Sequence, residues 1–217
     1  MTREYTFPDY GIEHPVSLIG RVTPLLPGRG VPVVFLLDEN HGIDECIEQN
    51  IANARALVQS AGVTLIGVES HAGGFLWDDY EGKYYPFDQK RYDNGDDLSP
   101  LNTCPTFADR LRGSGATLVG VECRGMLNQQ ECDFAPGNEW HGKPAGDHPL
   151  NVLRSEHYIR TLLEMRSQRG LTGNLILNAG GAHISHIEQW IRNASIEAKA
   201  KGKAAYVRVR APAYRDS

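Results

Sequence analysis

Glutamate and histidine residues directly after apolar stretches are the best candidates for chemistry in this sequence. Glu39 and His41 follow one apolar run, and Glu69 follows a second. His183 comes after a third run and two glycines, which let the backbone approach a ligand closely. A carboxylate beside an imidazole supports general acid–base catalysis, and the same two groups also bind divalent metals. The pattern therefore predicts either an acid–base site or a metal site.

Further polar residues lie at or near the ends of predicted strands and helices. Arg154 is predicted to hold a carboxylate in place or to stabilise a developing oxyanion. Glu122 and Arg124 follow another apolar run, and His71 and His157 lie close to the residues already named. We predict that these last four contact the substrate. For His71 and His157 the alternative is a solvated or structural role.

The acidic residues before His41 have a second interpretation. Asp38, Glu39 and Asn40 precede a helical pattern, and negative charge at a helix N-terminus is stabilised by the helix dipole. A functional role for His41 is favoured because it shares a strand end with Glu39. A functional role is also favoured for Glu69. It follows an apolar strand that would bury its charge, and a buried charge needs a partner.

The apolar runs alternate with helical patterns along the chain. Buried strands are predicted at 31–37, 63–68, 117–121, 174–178 and 204–209. Helices are predicted at 43–61, 106–113, 149–169 and 184–201. This alternation predicts an α/β fold with a parallel or mostly parallel sheet flanked by helices. The polar residues would then lie outside the carboxyl ends of the strands, where open α/β sheets bind ligands.

Two short patterns recur in the chain. Residues 62–70 resemble residues 115–123, and both are strand patterns that end in glutamate. Residues 47–54 resemble residues 187–194, and both are helical patterns that follow a histidine. These recurrences predict two related βαβ halves whose strand ends face one cleft.

Glycine- and proline-rich segments separate the regular patterns. Residues 1–31 are predicted to form an irregular lead-in with one short strand at 16–19. Segments 72–105 and 125–150 are predicted to be loop-rich insertions or lids over the site. For 72–105, a partly ordered acidic surface loop is the alternative. The length of 217 residues suits one α/β domain over 1–217.

The overall composition narrows the function classes. A formal net charge of -5 and a pI near 5.9 give no reason to expect a nucleic-acid partner. No segment has the length and apolarity of a membrane span, and residues 1–10 lack an apolar signal-peptide core, so we expect a cytoplasmic protein. The four cysteines show no Cys-x-x-Cys spacing, which argues against a zinc site or a disulfide framework. A Gly-x-Ser-x-Gly elbow and a Walker loop are also absent.

Four short motifs together resemble a known superfamily. They are the strand end Asp38-Glu-Asn-His41, the later strand end at Glu69, the helix motif Arg154-Ser-Glu-His, and Gly180-Gly-Ala-His183. This set is similar to the superfamily that joins erythromycin esterase, the ChaN haem-binding lipoproteins and the TraB/Tiki proteins. The similarity spans most of residues 33–200. Asp38 stands where the family pattern has glycine, which either prevents a close backbone approach or adds an acidic ligand.

The resemblance implies a hydrolase of ester or peptide bonds that acts on a small molecule or a peptide. His41 would be the general base or a metal ligand, and Glu39 and Glu69 would orient it or balance its charge. His183 and Arg154 would stabilise the oxyanion. A divalent metal, if present, would be bound by His41, His183, Glu39 and Glu69.

Two alternatives to a hydrolase stay open. The first is a haem- or metal-binding protein of the ChaN type without turnover. Its weak point is the absence of a signal peptide, and of the two cofactors haem is less expected than a divalent metal. The second is an inactive interaction or effector domain, for which Asp38 and the divergent insertions are the main support.

Overall fold

The strands of the protein were located in a computed structural model, which describes residues 1–40, 42–72, 74–77, 105–193 and 203–214. Nine strands lie in these ranges. They are β1 (Thr2–Phe7), β2 (Ile12–Ile19), β3 (Arg21–Leu26), β4 (Val33–Glu39), β5 (Val63–Ala72), β6 (Gly74–Trp77), β7 (Thr117–Glu122), β8 (Asn174–Gly180) and β9 (Ala205–Arg210).

Seven of these strands form one sheet in the order β3-β9-β4-β8-β5-β7-β6. The five inner strands run parallel, and β3 and β6 close the two edges in antiparallel pairing. Every residue of β4 and of β7 is buried, as continuous apolar runs in a parallel sheet require. The predicted α/β fold with a mostly parallel sheet flanked by helices is therefore confirmed.

Helices cover both faces of the sheet. In the described ranges they are α1 (Asp44–Ala61), α2 (Pro105–Leu111), α3 (Arg124–Asp133), α4 (Pro149–Gln168) and α5 (Gly181–Arg192). Helices α1 and α2 share one apolar core with the β1–β2 hairpin. Helices α4 and α5 share a second core on the opposite face. Helix α1 has the apolar spacing predicted for it, and it ends at Gly62, which has a left-handed conformation.

The order of the strands explains this division. The chain passes from β4 to β5 and on to β7 along one face, and it returns from β7 to β8 and on to β9 along the other. Because parallel crossovers are right-handed, a reversal of direction moves the helices to the opposite face. The neighbouring strands β4 and β8 therefore send their helices to opposite faces. Their carboxyl ends form the switch point at which α/β sheets bind ligands.

The N-terminal prediction is wrong. In place of an irregular lead-in with one short strand, residues 2–26 form β1, β2 and β3. Prolines obscured the pattern, but β1 and β2 lie in a separate two-stranded sheet and β3 is an edge strand, where a missing N–H is tolerated. Asn53 of α1 fixes this region, since its side chain bonds both the backbone N and the backbone O of Ile19.

Two other boundaries also differ from the predictions. Segment 125–150 is helical in its first part, because α3 covers Arg124–Asp133, and a 3-10 turn follows at Ala145–Asp147. Helix α5 begins at Gly181, three residues before the predicted start. The predicted end of that helix, residues 194–201, lies outside the described residues. The same is true of most of segment 72–105, so its predicted role as a lid stays a prediction.

Candidate active site

The carboxylate of Glu69 lies at the carboxyl end of β5, beside the switch point. Its Oε1 is 3.2 Å from Nε2 of His183, in the first turn of α5. Its Oε2 accepts a hydrogen bond from the backbone N–H of Gly180, at the end of β8. The two residues are 9% and 5% exposed, so the carboxylate and the imidazole interact largely away from water. The strand ends thus bring together Glu69 and His183, two of the candidate residues.

Ser155 of α4 occupies the other side of the imidazole. Its Oγ is 2.8 Å from Nδ1 of His183 and 2.5 Å from the backbone O of Asn151. Since the hydroxyl uses its one O–H to donate a hydrogen bond to Asn151, it can only accept a hydrogen bond from Nδ1. The carboxylate of Glu69 is placed to accept a hydrogen bond from Nε2. Both nitrogens of the imidazole are therefore engaged, Nδ1 with Ser155 and Nε2 with Glu69.

Arg154 is next to this pair and forms the strongest ion pair of the region. Its Nε and Nη2 donate to the two carboxylate oxygens of Glu122, at 3.0 and 2.6 Å. Its Nη1 donates to Gln130 and Asn151. Although burial opposes the charge, the hydrogen bonds and charge of Glu122 raise the pKa of Arg154 above its ordinary value. Most donors of the guanidinium are therefore directed to protein groups.

Tyr158 links the arginine cluster to the imidazole. Its hydroxyl donates to Oε2 of Glu122 at 2.6 Å, and its ring centroid is 4.9 Å from that of His183. Burial, followed by the charges of Glu69 and Glu122, raises the pKa of Tyr158 well above its ordinary value. The phenol therefore stays protonated and acts as a fixed donor to Glu122.

Glu39 is buried at the end of β4, where it pairs in register with Gly180 of β8. Its Oε2 accepts a hydrogen bond from the side-chain amide of Asn178. Asn50 of α1 donates to Asn178 and to the backbone O of Asp38, at 3.2 and 2.9 Å. Glu39 and Glu69 thus lie on either side of the end of β8. The side chain of Asn178 holds Glu39, and the backbone N–H of Gly180 holds Glu69.

Asp38 does not serve as a further acidic ligand, which was one of the two alternatives. Its side chain is fully buried, and both carboxylate oxygens accept hydrogen bonds from Arg208 at 2.6 to 3.0 Å. Arg210 donates to the same carboxylate at 2.8 Å. Asp38 thus serves as the shared counter-ion of two arginines of the neighbouring strand β9.

The remaining predicted site residues fall into two groups. His41 lies outside the described residues, and so do the side chains of His71 and Arg124. His157 is described, and its Nε2 is 3.2 Å from Oγ1 of Thr161, one turn further along α4. Burial lowers the pKa of His157. This contact agrees with the structural alternative for His157 and gives no support for substrate contact.

A small cavity lies between α4 and α5, beside their shared core. Its volume is about 110 Å³, and its walls include Ser155, His186 and Trp190. Nδ1 of His186 and Nε1 of Trp190 are buried with no hydrogen-bond partner among the described residues. A liquid water molecule occupies roughly 30 Å³, so the space can hold a few waters next to Ser155.

The side chains of the site decide whether a divalent metal fits there. Among the described ranges, no three histidine, cysteine or carboxylate side chains are grouped closely enough to share an ion. Glu69 and His183 are directed at each other, so that Nε2 of His183 contacts a carboxylate in place of a cation. The donor set seen in these ranges therefore does not fit a metal, and no step below depends on one.

Several residues of the site were missed by the sequence interpretation. They are Asn50, Gln130, Asn151, Ser155, Tyr158 and Asn178. The helical spacing offered one usable signal, because residues 151, 154, 155 and 158 lie on one face of α4. A buried face with so many polar groups indicates a network, since each buried polar group needs a partner.

The chain was compared with protein families, curated proteins and solved structures. No family model, curated protein or solved structure matches this chain significantly. In the described part of the chain, no helix is long and apolar enough to cross a membrane.

Proposed function

We propose that the protein is a hydrolase of ester or peptide bonds, with Glu69 and His183 as its acid–base pair. The observation that carries this proposal is the contact of 3.2 Å between Oε1 of Glu69 and Nε2 of His183, at the carboxyl ends of parallel strands. A buried carboxylate and imidazole at such a position suit proton transfer.

In the proposed mechanism, the carboxylate of Glu69 takes a proton from the attacking water. The imidazolium of His183 gives its Nε2 proton to the leaving oxygen or nitrogen. A proton then passes from Glu69 to His183 and restores the starting state, so the charges balance. Ser155 and Gly180 keep the imidazole and the carboxylate in place through their hydrogen bonds.

Arg154 is a positioning residue in this account. Its bonds to Glu122, Gln130 and Asn151 leave it little freedom to follow a developing oxyanion. Its Nη2 is 3.7 Å from Oε1 of Glu69, so its positive charge lies next to the carboxylate of the acid–base pair. The roles expected for His41 and Glu39, as base and as orienting group, stay predictions.

The substrate class follows from the resemblance. The motifs similar to the superfamily of erythromycin esterase, ChaN and TraB/Tiki proteins support a hydrolase acting on a small molecule or a peptide. We place the activity in the cytoplasm and expect no nucleic-acid partner, in line with the acidic composition.

A panel of activated esters, lactones and short peptides tests the proposal, with and without added divalent metals. The wild type should turn over at least one member. Glu69→Gln, which keeps the shape but removes the base, should lower kcat by about 100-fold or more. Glu139→Gln is the matched control, because the Glu139 side chain is 81% exposed in a loop. Equal rates in wild type and Glu69→Gln would refute the assignment of Glu69.

A further inference from the structure

A second cleft lies beside the candidate site, at the edge of the sheet that β3 closes. It has a volume of about 850 Å³, within the range of small-molecule sites. Arg3, Arg21 and Arg210 line it, together with the rings of Tyr5 and Tyr214. None of the described residues that line it is acidic. The charged side chains that line this cleft, among the described residues, are therefore all positive.

Two arginines of the cleft lie opposite each other on neighbouring strands. Arg21 and Arg210 are directly opposite each other in the antiparallel ladder of β3 and β9. Like charges at such positions are destabilising. Within the described part of the chain, the side chains of Arg3 and Arg21 form no ion pair or hydrogen bond. A bound anion would use the donors of Arg3 and Arg21 and would place a negative charge beside Arg21.

The walls of the cleft are held in place. Tyr5 donates its hydroxyl proton to the backbone O of Gly20 at 2.7 Å. The guanidinium carbon of Arg210 lies 4.6 Å from the ring centroid of Tyr214, as in a cation–π contact. Arg210 also donates to Asp38 at 2.8 Å, which fixes its guanidinium. Arg210 and the two tyrosine rings thus form fixed walls, and the guanidinium groups of Arg3 and Arg21 have the geometry that matches carboxylate and phosphate groups.

The inner wall of the cleft touches the candidate site. Tyr214 packs on Gly181, the first residue of α5, so closely that a Cβ atom there would lie 1.7 Å from the tyrosine oxygen. Only glycine fits under this ring. Helix α5 carries His183 two residues later, and Asp38 directly precedes Glu39. The inner wall of the cleft is therefore close to the carboxyl ends of β4 and β8.

We propose that this cleft binds a carboxylate or phosphate group of the substrate, so that the enzyme acts on anionic esters or amides. The assignment of the anion to a substrate rests on the proposed hydrolase function. The presence of an anion site does not, because binding can be measured without turnover.

Binding of phenyl phosphate and of benzoate to the Glu69→Gln protein tests the site itself, with benzyl alcohol as the neutral probe. We expect saturable binding of at least one anion and none of the alcohol. The double variant Arg3→Ala/Arg21→Ala should weaken that binding by about tenfold or more, since it removes two charge-assisted contacts. Arg29→Ala, an exposed arginine beyond the other end of β3, should leave it unchanged. No saturable anion binding, or equal binding in the double variant, would overturn the proposal.

Kinetics on the wild type then test the link to the substrate. An ester with a free carboxylate should have a higher kcat/KM than its neutral methyl ester analogue, and Arg3→Ala/Arg21→Ala should remove the difference. Hydrolysis of both esters at rates that the double variant leaves unchanged would overturn the substrate assignment while the hydrolase proposal stands. Anion binding without any hydrolysis would support the cleft and count against the proposed function.

Discussion

Oε1 of Glu69 lies 3.2 Å from Nε2 of His183, although 114 positions separate the two residues in the chain. The contact depends on the strand order, because β8, which leads into α5, is inserted between β4 and β5. The end of β8 therefore places His183 beside the end of β5. An acid–base pair at a switch point is the feature from which the proposed chemistry follows.

The ion pair of Arg154 and Glu122 should be important for stability. Arg154→Met leaves the charge of Glu122 buried without its partner, since the side chains are only 7% and 2% exposed. We expect a loss of about 3 to 5 kcal/mol in the free energy of unfolding, measured by denaturant titration. The second change Glu122→Gln, made in the same protein, should restore a large part of this loss.

The control for this cycle is an exposed pair on the same helix. Arg160 and Glu156 form an ion pair on α4 with side chains that are 63% and 37% exposed. Arg160→Met should change the free energy of unfolding by at most about 1 kcal/mol. Similar losses for Arg154→Met and Arg160→Met would contradict the buried network described for Arg154.

Asp38 should likewise contribute to stability and not to catalysis. Asp38→Asn removes the fully buried anion that Arg208 and Arg210 share. We expect a loss of about 3 kcal/mol or more in denaturant unfolding. Glu188→Gln is a useful comparison, because Glu188 also pairs with Arg208 but its side chain is 17% exposed. A change below 1 kcal/mol for Asp38→Asn would argue against this role.

The described histidines of α4 and α5 predict a pH dependence of stability. Burial lowers the pKa of His157 and of His186 below 6.5, and for His186 the neighbouring His183 lowers it further. The unfolded chain therefore takes up protons at these two residues before the folded protein does. Stability is fully present above pH 6.5 and is lost as the pH falls through the lowered pKa values.

Thermal unfolding at several pH values checks this expectation. The variant His157→Gln/His186→Gln should lose less stability than the wild type between about pH 7 and about pH 5.5, the range in which histidine titrates. His14→Gln, which changes an exposed residue of β2, should behave as the wild type does. Parallel pH curves for wild type and double variant would show that these two imidazoles are not responsible.

The sequence predicted the parts of the fold that depend on local patterns. Continuous apolar runs gave the inner strands, and the polar residues after them gave Glu69 and His183. The N-terminal strands were missed because their prolines resemble those of loops, while their real position at sheet edges is a tertiary property. Helix α3 was missed because glycine and proline dominate the rest of its segment.

The partners within the site could not be predicted in the same way. That Asp38 pairs with Arg208 and Arg210 depends on β9 lying next to β4, which no local pattern encodes. That Ser155 contacts His183 depends on the packing of α4 against α5. The candidate residues were therefore found from their positions at strand ends, whereas their roles became visible only with the strand order.

The most direct test of the account is the rate of ester hydrolysis by His183→Gln, compared with wild type and His14→Gln. We expect His183→Gln to lower kcat by about 100-fold or more while its far-UV circular dichroism remains that of a folded protein. His14→Gln should keep full activity. A folded His183→Gln protein with wild-type kcat would contradict the central claim that Glu69 and His183 transfer the protons of the reaction.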